Sequence, residues 1–177
     1  MTRFLALAPI LAFAVLVAIF GIGLTKDPAA IPSQLIDRPL PAFTLPGLTA
    51  NAPGFAHTDL RGKPMLLNVF ASWCAACPQE HPMLTKIAAG GVPVYGIDWK
   101  DTPAEATAWL AKLGNPYTRV ASDPTARTGI DLGVTGVPET FVVDASGRVR
   151  YKQVGPIDQA TWDTVLRPLL AKLEAEA

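Results

Sequence analysis

A strand that offers apolar side chains to both of its faces has to lie inside a sheet covered on both sides. The run from Pro64 to Ala71 is of that kind, holding Met65, Leu66, Leu67, Val69 and Phe70. It delivers the chain to Cys74-Ala75-Ala76-Cys77, the only two cysteines in the sequence. After Cys77 a helix is expected to run to Ala89 and to stop at Gly90-Gly91. Pro82 in its interior should remove one backbone hydrogen bond and kink it. Both sulfurs are thus expected at the start of a helix that follows a central strand.

The flanking segments extend this pattern. Pro41 to Pro46 reads as an edge strand or extended lead-in, bounded by prolines. Val92 to Trp99 reads as the next buried strand, and Thr102-Pro103-Ala104-Glu105 as a capping box with proline at the first helical position, ended by Gly114. Tyr117 to Ala121 and Thr140 to Val143 read as further strands, and Asp144-Ala145-Ser146-Gly147 as a turn into Arg148 to Val154. Asp158 can cap a last helix in which Trp162, Val165 or Leu166, Leu169 and Leu173 recur at helical spacing, with Pro168 distorting it. Strands alternating with helices and then a hairpin predict an α/β fold with a central mixed β-sheet flanked by helices.

Composition narrows what such a fold can serve. The chain has 177 residues, enough for one domain plus its ends, with 15 basic and 15 acidic side chains. It lacks the basic excess that nucleic-acid binding requires. At 50% hydrophobic and 17% charged it can bury a core. Phe4 to Leu24 carries no charge over 21 residues, which matches a hydrocarbon core of ~30 Å at ~1.5 Å per residue. A cleaved signal peptide has an apolar region of only ~7 to 15 residues, so residues 1–24 read as an uncleaved transmembrane anchor. Arg3 before this segment, against Lys26 followed by Asp27 after it, tilts the amino terminus inward. Residues 25–36, with Pro28 and Pro32, read as a tether, and residues 37–177 as the folded domain.

Two thiols three residues apart at a helix start suit redox chemistry, because the unpaired N–H groups and the positive dipole end favour thiolate over thiol. Cys74 is the expected attacking sulfur, Cys77 the expected resolving thiol one turn deeper, and Trp73 should flank the exposed sulfur. Two other readings use the same cysteines. Cys74, Cys77 and His81 with His57 could form a Cys₂His₂ metal set, but structural zinc sites pair two short-spaced couples and these histidines are 24 residues apart. A purely structural disulfide would close a loop too short to stabilise much. His57, flanked by Phe55 and Asp59, reads as a surface histidine.

These residues resemble a family, the thioredoxin-like, membrane-tethered thiol:disulfide interchange proteins of the CcmG/DsbE type that serve cytochrome c maturation. The resemblance rests on Leu66 through Cys74 with Cys77-Pro78, on Tyr95-Gly96-Ile97-Asp98-Trp99-Lys100-Asp101, and on Gly136-Val137-Pro138-Glu139-Thr140-Phe141. It implies that Pro138 is a cis-proline lying against the cysteines and that the Val137 backbone meets an incoming substrate strand. Asn68 stands where thioredoxins proper carry a buried acid, and an amide cannot act as base. Glu139 then becomes the first candidate for tuning the thiols and Glu80 the second, with a solvated helix-start carboxylate as the competing reading for Glu80. Trp99 departs from the tyrosine of the family's Tyr-Lys-Asp stretch.

The resemblance further implies a catalytic domain on the periplasmic side of the inner membrane, reducing a disulfide in apocytochrome c or in a cytochrome c maturation component. A membrane thiol reductase would recharge it. No cofactor is implied, since the electrons reside in the two sulfurs. Alternatives are a general exported reductase or oxidase with other clients, and a metal-binding assembly chaperone.

Overall fold

The computed structural model describes residues 2–24 and 33–177, which fall into two units divided after Ile31. The first holds one helix, α1 (Thr2–Leu24), with Pro9 inside it. Its side chains are described only for Pro9 and residues 11–21, where Leu11, Phe13 and Phe20 are exposed. Among the described residues no helix is long and apolar enough to cross a membrane. Most of the expected tether lies outside the described residues. Its last part forms a turn, with Ile36 N donating to Ser33 O at 3.3 Å and Leu35 packed on the core.

The second unit is built on a five-stranded sheet. Its strands are β3 (Met65–Phe70), β4 (Val94–Trp99), β5 (Arg119–Asp123), β6 (Glu139–Val143) and β7 (Val149–Val154), in the order β5-β4-β3-β6-β7. β3 is central, parallel to β4 and antiparallel to β6. Every β3 residue is buried, as a strand covered on both faces must be. A small antiparallel pair, β1 (Thr44–Leu45) with β2 (Phe55–Ala56), accounts for the expected edge strand.

The alternation of β3 splits the core in two. Met65, Leu67 and Val69 join one cluster with Phe55, Ile97, Trp99 and Phe141. Leu66 and Phe70 join the other, with both cysteines, Leu84, Leu110 and Leu170. The helices over this second face are α2 (Cys77–Ala89), α3 (Pro103–Leu113) and the C-terminal helix, while a short helix α4 (Arg127–Asp131) follows β5. Thr102 Oγ1 accepts from Glu105 N at 3.3 Å and donates to Glu105 Oε2 at 2.7 Å, so α3 starts as its sequence dictates. Pro82 lies inside α2 and Gly90 follows the helix as its cap.

Three local differences from the sequence reading have physical causes. β5 starts at Arg119 rather than Tyr117, whose backbone N–H donates to Asn115 Oδ1 at 3.0 Å instead of to β4, while its ring stacks on Phe70 at 4.9 Å. The distortion expected at Pro168 falls one turn earlier, as a π-helical stretch Trp162–Leu166 between α5 (Gln159–Thr161) and α6 (Arg167–Ala175). Proline then occupies the first turn of α6, where its missing N–H costs least. Helix α4 has no apolar period long enough to announce it. Its Gly129 lies under Trp99, and a Cβ there would collide with the indole Nε1.

Candidate functional site: a dithiol centre at a helix start

The strand β3 ends at Phe70, and Ala71 to Ala76 form a tight connection into α2. Cys74 and Cys77 are joined as a disulfide with Cα atoms 5.5 Å apart. Cys77 is the first residue of α2, and its backbone N–H donates to Cys74 Sγ at 3.0 Å. A free amide at a helix start, aimed at sulfur, stabilises negative charge there once the bond is reduced. Cys74 is 5% exposed and Cys77 1%. Trp73 beside them is 55% exposed, with its indole N–H donating to Lys100 O at 2.9 Å.

The Val137–Pro138 peptide bond is cis. Val137 is half-buried and packs against both core clusters, while Pro138 is buried.

On the face of the sheet that carries the cysteines lies a buried polar chain that begins with Asn68. Its Nδ2 donates to Glu80 Oε1 at 2.8 Å and to Thr140 Oγ1 at 2.9 Å. Its Oδ1 accepts from the Tyr117 hydroxyl at 2.8 Å. The other Glu80 oxygen accepts from Ile157 N at 3.1 Å. β3 makes this possible, because Asn68 points to the α2 face and pairs with Thr140 across β6. Gly96, its partner on β4, leaves room for rings, since a Cβ there would sit 3.0 Å from both Phe70 and Tyr117.

Glu80 is therefore not a solvated helix-start carboxylate: it is 1% exposed. Burial pushes its carboxyl up to about 7, the bonds from Asn68 and Ile157 pulling weakly the other way. Burial also raises the Tyr117 hydroxyl well above its ordinary range, with the nearby Glu80 and Asp98 charges adding to it.

Glu139 is equally buried but differently partnered. Its Oε2 faces Lys152 Nζ at 2.9 Å, and its Oε1 accepts from Thr135 Oγ1 at 2.6 Å and Thr135 N at 3.1 Å. It pairs with Val69, so it belongs to the face opposite Asn68 and Glu80.

The structure thus brings Asn68 and Glu80 together on the cysteine face of the sheet and sets Glu139 on the other. Sequence reasoning did not find Thr140, Tyr117, Thr135 or Lys152. Trp99 is buried in the core, with Lys100 Nζ 4.2 Å over its ring and Trp73 6.3 Å from it.

The histidines are used elsewhere. His81 Nε2 is 3.0 Å from Gly114 O, and burial lowers its pKa. His57 Nδ1 lies against the Phe43 backbone. Among the described residues no group of three or more His, Cys, Asp or Glu side chains is placed to hold a metal ion.

A disulfide at the amino end of a helix, one sulfur receiving an amide N–H, on a mixed sheet with a cis-proline before β6, defines a thioredoxin-like thiol:disulfide oxidoreductase. Comparison with known proteins gives the branch. The Redoxin family profile matches residues 36–166. A thiol:disulfide interchange protein DsbE of Pseudomonas aeruginosa is 44% identical over 173 residues, covering 98% of this chain and 96% of its own. The thiol:disulfide interchange protein HelX of Rhodobacter capsulatus is 46% identical over 147 residues, covering 82% and 83%. The crystal structure of a DsbF homologue from Corynebacterium diphtheriae superposes with a TM-score of 0.66 at 23% identity, over 81% of this chain and 96% of that one, and shares the fold. The chain belongs to the Redoxin family and, within it, to the DsbE-type thiol:disulfide interchange proteins.

Proposed function

We propose that this oxidoreductase works as a reductant in cytochrome c maturation, held by residues 1–24 at the periplasmic side of the inner membrane. Its clients are the disulfide of apocytochrome c or that of a maturation component. The observation that carries the chemistry is the Cys77 amide donating to Cys74 Sγ. The DsbE and HelX relatives support thiol:disulfide interchange, the direction and client rest on the resemblance to the CcmG/DsbE type, and the anchor rests on the uncharged Phe4–Leu24 segment.

In the reduced protein Cys74 is the thiolate, and it attacks one sulfur of the client disulfide in line with the S–S bond. A new Cys74–client disulfide forms, and the client's second sulfur leaves as a thiolate that takes up a proton. Cys77 then loses its proton, attacks Cys74 Sγ and displaces the first client sulfur, which is protonated in turn. The client gains two electrons and two protons, and the Cys74–Cys77 disulfide is left behind. A membrane thiol reductase returns the two electrons.

Glu80 is the group we assign to moving the proton of the resolving thiol. A carboxyl at about 7 both accepts and releases a proton near neutral pH. Glu139, compensated by Lys152, is assigned to holding the Thr135–Pro138 loop through its two bonds to Thr135. Val137 offers backbone groups to the client strand, Pro138 fixes that loop and Trp73 supplies apolar contact beside the sulfurs.

Equilibration of the full chain with glutathione buffers tests the direction. A midpoint near or below about −200 mV supports a reductant, and one near about −120 mV makes it a disulfide donor. Capture of the client by a Cys77→Ala variant, in which the mixed disulfide cannot resolve, identifies the substrate.

A further inference from the structure

The connection that carries Trp73 and Cys74 is tied down at only a few points, and two of them belong to the loop after β4. Ser72 N donates to Asp101 Oδ2 at 2.6 Å, and Trp73 Nε1 donates to Lys100 O. Asp101 Oδ1 accepts from Thr102 N at 2.7 Å, so one carboxylate joins the start of α3 to the residue two before the attacking sulfur. Lys100 holds the bend with a φ of 52°, a left-handed conformation rare for a lysine, and its N–H donates to Asp123 O at 3.1 Å. Burial works to raise the Asp101 carboxyl, but the Ser72 and Thr102 bonds outweigh it and hold the group below its ordinary range.

Asp98 lies three residues earlier on β4, 0% exposed, and no backbone N–H or neutral side-chain donor meets its oxygens; its carboxyl hydrogen-bonds with that of Asp101, which requires one of the two to carry a proton. Ser122, its cross-strand partner on β5, is buried with its hydroxyl also unpartnered. The charged and titratable groups that face Asp98 are Asp101 in the loop, Glu105 on α3 and the Tyr117 hydroxyl, and none of them is a cation. An ionised carboxylate in that setting would be both desolvated and repelled.

We infer that Asp101 is a positioning residue for the attacking thiol, and that the protonation of Asp98 beneath it sets how firmly Asp101 holds Ser72. With Asp98 protonated, its carboxyl donates to Asp101, and the Asp101 carboxylate stays ionised and in place on the Ser72 and Thr102 amides. When Asp98 loses its proton, a second buried negative charge forces the Asp101 carboxylate away from Ser72 and loosens the Ser72–Cys74 connection. Desolvation, with the charge of Asp101, puts this change at about 8. The inference rests on Cys74 being the attacking thiol, and it adds a proton-linked control to that thiol which the Asn68–Glu80 chain does not supply.

The test is the rate of iodoacetamide alkylation of the reduced full chain against pH, in the wild type, Asp98→Asn and Asp101→Ala. The wild-type profile is expected to break near the Asp98 ionisation, separately from the thiol's own step. Asp98→Asn should lose that break and keep the thiol step, and Asp101→Ala should change the rate severalfold below it. Carboxyl-carbon NMR of the wild type, which needs no variant to fold, should show Asp98 titrating far above the ordinary ~4 of an aspartate. Identical alkylation profiles in all three proteins, or an Asp98 carboxyl titrating near ~4, would overturn the inference. The mass of the labelled peptide reports separately which cysteine attacks, so an error in that assignment appears as a different labelled residue rather than as an unchanged profile.

Discussion

Glu80 and Glu139 are two carboxylates with the same 1% exposure, on opposite faces of one sheet, and they have been neutralised in different ways. Glu139 has a cation, Lys152 at 2.9 Å, and two bonds from Thr135. Glu80 has only neutral donors, the Asn68 amide and the Ile157 backbone N–H. A buried charge is tolerated when it is paired, and one without a counter-ion keeps its proton instead. The first arrangement makes a fixed structural tie and the second a group that can exchange protons. Burial alone therefore does not mark a carboxyl that can exchange its proton near neutral pH; the partner does.

The largest effect should come from removing the cation. Lys152→Met leaves Glu139 buried and uncompensated, which should cost about 3–5 kcal/mol in urea unfolding at neutral pH. Adding Glu139→Gln to that variant should recover most of the loss, because the charge that needed the lysine is gone. No recovery would mean that Lys152 contributes mainly through its 2.8 Å bond to Gly133 O and its packing, with Nζ 5.5 Å from the Phe141 ring centre.

On the other face, Glu80→Gln should slow thiol exchange by about 10²-fold, the scale of one lost proton-transfer group. It should also change the pH dependence of stability. The carboxyl sits at about 7 in the folded chain against 4.5 for a free one. The folded state binds the proton more tightly, so this contribution is complete below 4.5 and is lost as pH rises through 7. By linkage it amounts to roughly 3 kcal/mol. Urea melts across that window should show the Gln variant with a shallower decline, and equal slopes would remove Glu80 as the group that titrates. Asp98, raised from 3.8 to about 8, contributes in the same direction and leaves a residual decline in the variant.

The asymmetry between the faces also explains what could be read from the sequence. The central strand, the helix start at Cys77, the α3 cap and the closing hairpin each depend on residues within a few positions of one another, and period and capping chemistry reveal them. The burial of Glu80 depends on Asn68 twelve residues before it and Ile157 seventy-seven after it, so nothing local distinguishes it from an ordinary first-turn carboxylate. The Glu139–Lys152 pair was hidden by one register shift. Val143 pairs with Val149, but beyond the irregularity at Val142/Val143 the pairing becomes Val142 with Tyr151 and Glu139 with Val154. Without that bulge Lys152 would oppose Thr140 and point to the other face. The sequence pattern puts Tyr117 at the start of a strand, whereas its ring stacks on Phe70 and its hydroxyl reaches Asn68.

A smaller effect follows from that hydroxyl. Tyr117→Phe keeps the ring but leaves Asn68 Oδ1 buried without a donor, a loss of about 1–3 kcal/mol. The freed amide should hold Glu80 less well. Because the Asn68 bond lowers the Glu80 pKa, weakening it should move the carboxyl further upward, and carboxyl-carbon NMR reads that shift directly.

The smallest effect belongs to the Glu139 side. Thr135→Val removes the 2.6 Å bond to Glu139 Oε1, while the Thr135 N–H and Lys152 remain. One hydrogen bond at an exposed threonine should be worth about 1 kcal/mol in a urea melt, since the hydroxyl exchanges a carboxylate for water. The more informative readout is the absence of an effect across the sheet. The Glu80 titration should stay in place, because Asn68, Tyr117 and Ile157 are untouched, while the apparent affinity for a client disulfide should weaken if the Thr135–Pro138 loop loses its shape. A variant that shifted the Glu80 titration would show that the two faces are coupled through β6, and the division of labour between the carboxylates would then fail.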